Sequence, residues 1–486
     1  MRTAGPRAAA GRGGFGLFLV TIAATALAAG AALAGEDKAG KLALDGSKLG
    51  LWWTLPFVGI LLSIAVWPLA APVFWHRHFG KISFFWAMAF LVPFLGTFGL
   101  ELTIYKILYT ALLEYIPFII LLFSLFTITG GIYVRGAVVG TPAFNLGLLA
   151  LGTALASWMG TTGAAMVLVR TLIRANAWRP SRTHVVVFFI FLVANIGGSL
   201  TPLGDPPLFL GFLKGVPFFW PTTAMLPPML LVVGILLAVF YLLDLWYLRR
   251  DGVSPPRGGG EPLRIEGAHN FLFLAGVVLA VLMSGLWRPG VSFTVYGVTV
   301  ELQNLVRDVL LLGLAGLSWI TTPVEVRERN EFTWFPIQEV AKLFAGIFVT
   351  IIPAIAILRA GLDGALAPVV ALVTLPDGSP NNAMYFWATG ILSSFLDNAP
   401  TYLVFFNTAG GDPELLTGPL STTLLAISAG AVFMGANTYI GNAPNFMVRA
   451  IAEEMKVRMP SFFGFMLWSG IFLLPCFALV TWIWFL

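Results

Sequence analysis

A series of apolar runs, each long enough to cross a lipid bilayer, constrains this chain more than any other feature. Leu51–Ala71 and Phe462–Leu486 are two of them, and each holds the roughly 20 residues that a transmembrane helix needs. Only 10% of the residues are charged, whereas a soluble domain carries about 25%. The short segments of alternating polarity that build a transmembrane β-barrel do not occur. The sequence therefore predicts an all-α polytopic membrane protein.

Cysteine content and charge exclude several other classes of protein. The single cysteine, Cys476, rules out an internal disulfide framework and any multi-cysteine metal site. The net charge of +5 is distributed over short loops, which is typical of membrane topology rather than of nucleic-acid binding. We therefore expect the lipid bilayer and a small ion or carboxylate substrate as partners, with no nucleic acid and no cofactor.

Residues 1–34 have the pattern of a secretory signal peptide. Arg2, Arg7 and Arg12 precede an apolar core that ends in the small residues Ala32 and Ala34. We expect cleavage after this segment, and the alternative is an uncleaved first helix. In either case the segment lies outside the membrane-embedded core.

Basic residues set the predicted topology, because cytoplasmic loops are enriched in Lys and Arg. The segment HRHFGK, His76–Lys81, is predicted as such a loop. We divide the chain into a first transmembrane repeat with scaffold helices (50–250), a Gly- and Pro-rich cytoplasmic linker (251–267) and a second, inverted repeat (268–486). This organisation predicts a multi-pass protein of a bacterial-type inner membrane.

Two apolar segments are predicted to enter the membrane and return on the same side. Thr141–Val169 lies between basic segments that both belong on the cytoplasmic side, and it is too short for two full spans and a turn. Asn381–Gly411 lies between two loops predicted to be external. We therefore predict one re-entrant hairpin in each half of the chain.

The two halves share an internal repeat at a nearly fixed spacing. YKILYTALLEYIPFI from Tyr105 matches AKLFAGIFVTIIPAI from Ala341 at an offset of 236, and two later matches have an offset of 237. SWMGTTGAAMV from Ser157 matches SFLDNAPTYLV from Ser394, and TPLGDPP from Thr201 matches TYIGNAP from Thr438. The predicted topology gives the matched segments opposite orientations. Inverted repeats with paired discontinuous helices are the sequence pattern of secondary transporters whose binding site lies at the membrane midplane.

Glycine and proline residues indicate where these helices are interrupted. The polar residues beside the interruptions are the candidate ligands. Freed backbone N–H groups attract anions, and freed carbonyl groups attract Na+. An acidic residue in the bilayer centre costs about 2.5–3.5 kcal/mol and is a functional candidate by default. The candidate ion- or substrate-binding residues are Ser157, Thr161, Thr162, Ser199, Thr201, Gly204, Asp205, Ser394, Asp397, Asn398, Thr401, Asn437, Thr438, Gly441, Asn442 and Asn445. Asp397, Asn398, Thr438 and Asp205 are the predicted Na+ ligands.

Other membrane-embedded charges receive weaker functional interpretations. Lys106 and Lys342 lie near the starts of spans, where lysine side chains extend to the interface. Glu339 lies three residues before Lys342, a spacing that predicts a helix-face ion pair. Glu114 fits either a proton relay or an interfacial position.

At the interruptions the sequence resembles the ion transporter superfamily, in particular NhaD-type Na+/H+ antiporters and citrate-transporter-like (CitMHS-like) carriers. Three segments carry the resemblance: ANIGGSLTPLGD (Ala194–Asp205), LDNAPT (Leu396–Thr401) and GANTYIGNAPNFMV (Gly435–Val448). The resemblance covers most of the chain after residue 34. It implies two hairpins, inverted repeats and a homodimer.

The sequence also departs from these families. The first hairpin has Gly160-Thr161-Thr162-Gly163 where the antiporters tend to have an Asp-Asn pair, and the Ser-Asn-Thr triplet of dicarboxylate carriers is not cleanly present. We predict a secondary active transporter working by alternating access, in first place a Na+:proton antiporter with transported Na+ and H+. The alternative is an ion-coupled citrate or dicarboxylate transporter. A channel fits less well, and an enzyme is not expected because HExxH and GxSxG motifs are lacking.

Overall fold

A computed structural model describes residues 42, 44–136, 138–256 and 262–486 of the chain. The predicted signal peptide, 1–34, and residues 257–261 of the predicted linker lie outside the described residues. The described chain is helical apart from two small antiparallel strand pairs, as the apolar runs predict.

The helices fall into a first and a second group along the chain. The first group comprises α1 (Leu55–Ala70), α2 (Pro72–Thr110), α3 (Ile116–Thr129), α4 (Pro142–Met159), α5 (Thr161–Ala175), α6 (Thr183–Leu192), α7 (Pro206–Leu213) and α8 (Trp220–Asp251). The second comprises α9 (Asn270–Leu286), α10 (Leu302–Thr321), α11 (Val324–Arg329), α12 (Phe335–Thr350), α13 (Ile352–Arg359), α14 (Ala367–Leu372), α15 (Asn382–Phe395), α16 (Asn398–Thr408), α17 (Pro413–Thr417), α18 (Ser421–Met434), α19 (Ala443–Glu454) and α20 (Phe462–Trp484). Single 3-10 turns cover Gly46–Lys48, Leu51–Thr54, Ile196–Ser199, Gly361–Asp363 and Gly435–Asn437.

Six of the described helical stretches are long and apolar enough to cross a membrane. A seventh is added when α12 and α13, which meet at a 42° bend, are counted as one span. The prediction of a polytopic helical membrane protein is therefore confirmed.

One helical stretch, Pro72–Thr129, is 58 residues long. At 1.5 Å per residue a straight helix of this length would measure roughly 87 Å, whereas the hydrocarbon core is about 30 Å thick. Gly99 breaks it with φ +78° and ψ 173°, a conformation that residues with a Cβ rarely adopt. A single turn of π-helix, Ala111–Tyr115, follows, and Glu114 within it is buried.

The prediction of a loop at His76–Lys81 is wrong, because these residues belong to α2. The chain instead bends at Ala71, which has φ −148° and ψ 69°. Pro72 takes the first position of the new helix, where a proline lacks only an N–H group that would be unpaired anyway. The basic side chains therefore lie on the first turns of a helix.

The described residues include two antiparallel strand pairs, the first between segments far apart in the chain and the second between adjacent segments. β1 (Tyr133–Arg135) pairs with β2 (Arg264–Glu266) in the register Val134 to Ile265, so part of the predicted linker is a strand. β3 (Ser292–Val295) and β4 (Val298–Glu301) form a hairpin. Its two-residue loop, Tyr296 and Gly297, has positive φ at both positions, as a tight hairpin turn requires.

The central helices are interrupted at four places, and these interruptions position the candidate residues. Gly160 separates α4 from α5 with φ +79°, and Leu396 and Asp397 separate α15 from α16. Residues 193–205 separate α6 from α7, and 435–442 separate α18 from α19. Each interruption lies in one of the segments that supply the candidate residues.

Close backbone approach within the two unwound segments depends on glycine. A Cβ on Gly204 would lie 2.1 Å from the Gly198 carbonyl oxygen, and a Cβ on Gly441 would lie 2.6 Å from the Gly435 carbonyl oxygen. No side chain fits in either space. The unwound segments of the two halves therefore fold back on themselves in the same way.

Replacing Gly204 by alanine should destabilise the protein by about 1–3 kcal/mol, because the added methyl group overpacks the unwound segment. The matched control is Gly234→Ala in α8, where nothing lies within 4 Å of the added Cβ. The midpoint of thermal unfolding in detergent should fall for Gly204→Ala and stay constant or rise for Gly234→Ala. Equal midpoints for the two variants would contradict the close approach.

Candidate functional site

Four helices begin around one carboxylate, that of Asp205. Asp205 and Asn442 are the residues that immediately precede α7 and α19, and both have extended backbone angles. Thr161 and Asn398 are the first residues of α5 and α16. The prolines that follow Asp205 fix the start of α7, since proline is favoured at the first helical positions.

The Asp205 carboxylate is buried and accepts three side-chain hydrogen bonds. Thr161 Oγ1 donates to Oδ1 at 3.2 Å, Asn442 Nδ2 donates to Oδ1 at 3.0 Å and Asn398 Nδ2 donates to Oδ2 at 2.5 Å. The residue is 1% exposed. All three donors are neutral, and none of the ion pairs among the described residues involves Asp205. A carboxylate in these surroundings requires a proton or a cation to balance its charge.

An asparagine cluster joins the two interrupted helices. Asn442 Nδ2 also donates to Asn195 Oδ1 at 3.2 Å and to the Ala194 carbonyl oxygen at 3.2 Å. Asn195 Nδ2 donates to Asn445 Oδ1 at 2.7 Å. Asn445 in turn donates to the carbonyl oxygens of Gly435 and Thr438, each at 2.8 Å. Asn195 is not among the predicted site residues, although its place shortly before the Gly197-Gly198 pair is a signal for it.

The same hydrogen bonds recur in both halves of the chain. In each half the turn of a helical hairpin, α4–α5 or α15–α16, meets an interrupted helix. Thr201 Oγ1 donates to the Ser157 carbonyl oxygen, and Thr438 Oγ1 donates to the Ser394 carbonyl oxygen. Each threonine oxygen also accepts a backbone N–H two residues further on, at 3.2 Å. These threonines therefore attach the hairpins to the unwound backbone.

The serines at the hairpin tips make the reciprocal contacts. Ser157 Oγ donates to the Gly197 carbonyl oxygen at 2.5 Å, and Ser394 Oγ donates to the Met434 carbonyl oxygen at 3.0 Å. Both acceptors lie in or directly before the unwound segments. These freed carbonyl groups of the interrupted helices are thus paired inside the protein.

Asp397 immediately precedes Asn398 in the chain but is not hydrogen-bonded to the Asp205 carboxylate. Its Oδ1 accepts the Ala399 N–H at 3.0 Å and so caps α16. Among the described residues it makes no hydrogen bond to Asp205 or Thr438. Of the four predicted Na+ ligands, the structure brings Asp205 and Asn398 into direct contact.

Two amide oxygens near this site are buried and have no hydrogen-bond donor among the described residues: Oδ1 of Asn398 and Oδ1 of Asn437. The NH2 group of Asn398 donates to Asp205, and that of Asn437 donates to Ser394 Oγ at 2.9 Å. An unpaired buried carbonyl oxygen costs about 1–3 kcal/mol unless a ligand meets it. The two oxygens are therefore free to bind a cation.

The remaining predicted residues make local contacts. Ser199 and Thr401 donate to backbone carbonyl oxygens of their own turns, those of Ile196 and Asp397. Gly204 accepts the Thr161 N–H at 2.9 Å through its carbonyl group. Thr162 is half-buried and forms no hydrogen bond with another candidate among the described residues. Gly441 allows the close approach of its backbone to the Gly435 carbonyl oxygen.

The other membrane-embedded charges also find partners. Glu339 accepts the Trp75 indole N–H at 3.0 Å, so the predicted pairing with Lys342 is wrong; the Lys342 ammonium lies over the Phe79 ring instead. Glu114 forms an ion pair with Lys214. The two residues of that pair are 100 positions apart, and no local pattern in the sequence predicts their contact.

The chain matches the family model described as "Putative citrate transport" over residues 46–485 and belongs to that family. It is also similar to two mycobacterial proteins, uncharacterized transporter Mb2703 of Mycobacterium bovis and uncharacterized transporter Rv2684 of Mycobacterium tuberculosis. Each is 26% identical over 334 residues, which cover 65% of this chain and 70% of the relative. The chain is therefore a multi-pass membrane transporter.

Thr201→Val and Thr438→Val should each lower the free energy of unfolding by about 0.5–1.5 kcal/mol, because each removes a hydrogen bond from hairpin to unwound helix. Thr321→Val is the matched control, since this exposed hydroxyl donates only within its own helix. Chemical or thermal unfolding in detergent measures the difference. An effect of the control as large as that of the two site variants would contradict the assigned role.

Proposed function

We propose that this member of the citrate-transport family is an ion-coupled secondary transporter of the inner membrane that carries citrate or a similar carboxylate. The convergence of four helix starts on Asp205 carries the proposal. Each start directs the positive end of a helix dipole towards the site, and such ends favour negative charge by about 0.3–1 kcal/mol each. The centre of the site is therefore suited to a carboxylate.

In this proposal the substrate carboxylate uses the same donors as Asp205. Thr161, Asn398 and Asn442 provide neutral hydroxyl and amide hydrogens from three different helix starts. Since these groups are uncharged, they orient an anion without the desolvation cost of a buried arginine. A substrate carboxylate that approaches them competes with Asp205 for the same hydrogens.

The coupling ion in this proposal is Na+, with a proton as its competitor on Asp205. Asp205 and Asp397 supply carboxylate oxygens, and the unpaired Oδ1 atoms of Asn398 and Asn437 supply amide oxygens. Thr438 stays a predicted hydroxyl ligand of the same cation. Cation and carboxylate then enter together, because each balances the charge that the other brings into a region of low dielectric constant.

The transport cycle that we propose is alternating access by two inverted repeats. The hydrogen bonds that recur in both halves, through Thr201 and Thr438, support two equivalent hairpin-and-broken-helix units. Units of opposite orientation give a site that can open to either side of the membrane. The resemblance to the ion transporter superfamily supports the same architecture, and a homodimer by analogy.

Cation:proton antiport is the second candidate, and the neutral surroundings of Asp205 favour it. A carboxylate that meets only neutral donors can exchange a proton for Na+ without any substrate anion. The resemblance of Ala194–Asp205 to the antiporter motif points the same way. Both candidates assign the same role to Asp205 and differ in whether an anion moves.

Proteoliposomes should accumulate labelled citrate when an inward Na+ or proton gradient is imposed. Asp205→Asn should reduce this uptake about tenfold or more, because it removes the charge that binds the coupling ion. Asp377→Asn is the matched control, since this exposed carboxylate only accepts hydrogen bonds from Ser379. Its uptake should equal that of the wild type.

Two outcomes would redirect the assignment. If citrate does not move, and added Na+ dissipates an imposed proton gradient in everted vesicles in an Asp205-dependent manner, the protein is an antiporter. If Asp205→Asn transports citrate as well as the wild type, Asp205 does not bind the coupling ion.

A further inference from the structure

A cavity lies one short helix, α7, away from the Asp205 carboxylate. Its volume is about 970 Å³, and its walls come from the π-helical turn Ala111–Tyr115, the end of α7, the β3–β4 hairpin and the start of α10. Neither Asp205 nor Asp397 lines it. Gly411, at the end of the segment predicted to lie between two external loops, also lines it, so the predicted topology places the cavity on the outer side of the membrane.

The wall of this cavity carries more positive than negative groups. Its basic side chains are Lys214, Arg288, Arg307 and Arg359, and its acidic ones are Glu114, Glu301 and Asp308. Glu114 and Asp308 each pair with a cation of the same wall, Lys214 and Arg307. The remaining charged side chains are Arg288, Arg359 and Glu301, so positive charge is in excess on this wall. The electrostatic potential of this wall therefore favours a negatively charged ligand.

Arg307 is the most deeply placed of these cations. It is 1% exposed, its Nε donates to Asp308 Oδ1 at 2.8 Å and its Nη1 donates to Asn304 Oδ1 at 3.1 Å. Its Nη2 has no hydrogen-bond partner among the described residues. Buried guanidinium N–H groups are strong hydrogen-bond donors. One that lacks a partner in the protein is suited to bind an acceptor atom of a ligand.

Arg359 and Lys214 extend the cationic wall. The exposed Arg359 donates through Nε to Asn407 Oδ1 at 2.8 Å, and it forms no ion pair with another described residue. Lys214 pairs with Glu114. Arg307, Arg359 and Lys214 all line the cavity, so each is a candidate ligand of an anion with several carboxylates, which would compete with Glu114 for Lys214.

We propose that this cavity is a separate outer binding site for the carboxylate substrate, with Arg307, Arg359 and Lys214 as its ligands. Lys214 lies at the end of α7, and Asp205 lies at its beginning, so roughly 13 Å of helix separate the two sites. The choice of citrate as ligand rests on the proposed function. The outer site concentrates the anion before it reaches the neutral donors around Asp205.

Equilibrium dialysis of labelled citrate tests the proposal on purified full-length protein in phosphatidylcholine nanodiscs. The Asp205→Asn background removes the ion-coupling carboxylate, and the arginine substitutions then distinguish binding at the outer site from binding at the donors around Asp205. Arg307→Gln and Arg359→Gln should each weaken citrate binding about tenfold or more, since each removes a charged hydrogen-bond donor. Glu114→Gln should tighten binding, because it releases Lys214 for the ligand.

Arg250→Gln is the charge-matched control, since Arg250 is exposed at the end of α8 and does not line the cavity. It should bind citrate with unchanged affinity. Arg359 is exposed, so its substitution remains informative if Arg307→Gln fails to fold. Failure of citrate transport in proteoliposomes, with arginine-dependent binding intact, would overturn the proposed function and leave the outer site standing.

Three results would overturn the outer site. The first is citrate binding that neither arginine substitution weakens. The second is absence of binding in the folded Asp205→Asn protein. The third is arginine-dependent binding of phosphatidylglycerol that excludes citrate from the folded protein, which would assign the cavity to an anionic lipid.

Discussion

The requirement that every backbone polar group inside a membrane finds a partner within the protein governs this structure. Two helices are interrupted, at 193–205 and 435–442. Hydroxyl groups join their unwound backbone to the two hairpin tips, and these belong to Ser157, Thr201, Ser394 and Thr438. Because the hairpins supply these partners, the interrupted helices can remain open in a medium that offers no water.

The same interruptions create the electrostatics of the site. Four helices start at one point, and the carboxylate of Asp205 occupies the positive field that their first turns produce. Asn398 and Asn442 hold that carboxylate from the other half of the chain. In the function that we propose, this one geometry would serve an anion through the side-chain donors and a cation through Asp205 and the amide oxygens.

Much of this arrangement follows from local sequence. Glycine and proline mark the interruptions, and the nearly fixed spacing of the matched segments pairs Asp205 with Asn442 from sequence alone. At His76–Lys81, charge favours a loop, but Pro72 sets a new helix start instead. The partners of Glu339 and Glu114 depend on tertiary packing, with Trp75 264 residues and Lys214 100 residues away, and no periodicity encodes them. The direct contact of Asp205 with Asn398, 193 residues apart, is of the same kind.

Asp205 is the group on which the proposed ion coupling depends. Infrared difference spectroscopy of the protein in a lipid film, recorded between Na+-containing and Na+-free buffers and between two pH values, reports directly on that carboxyl group. We predict a carboxyl band that changes with Na+ or with pH in the wild type and is lost in Asp205→Asn. Identical difference spectra for the wild type and Asp205→Asn would contradict the assignment of Asp205 as the ion-binding group.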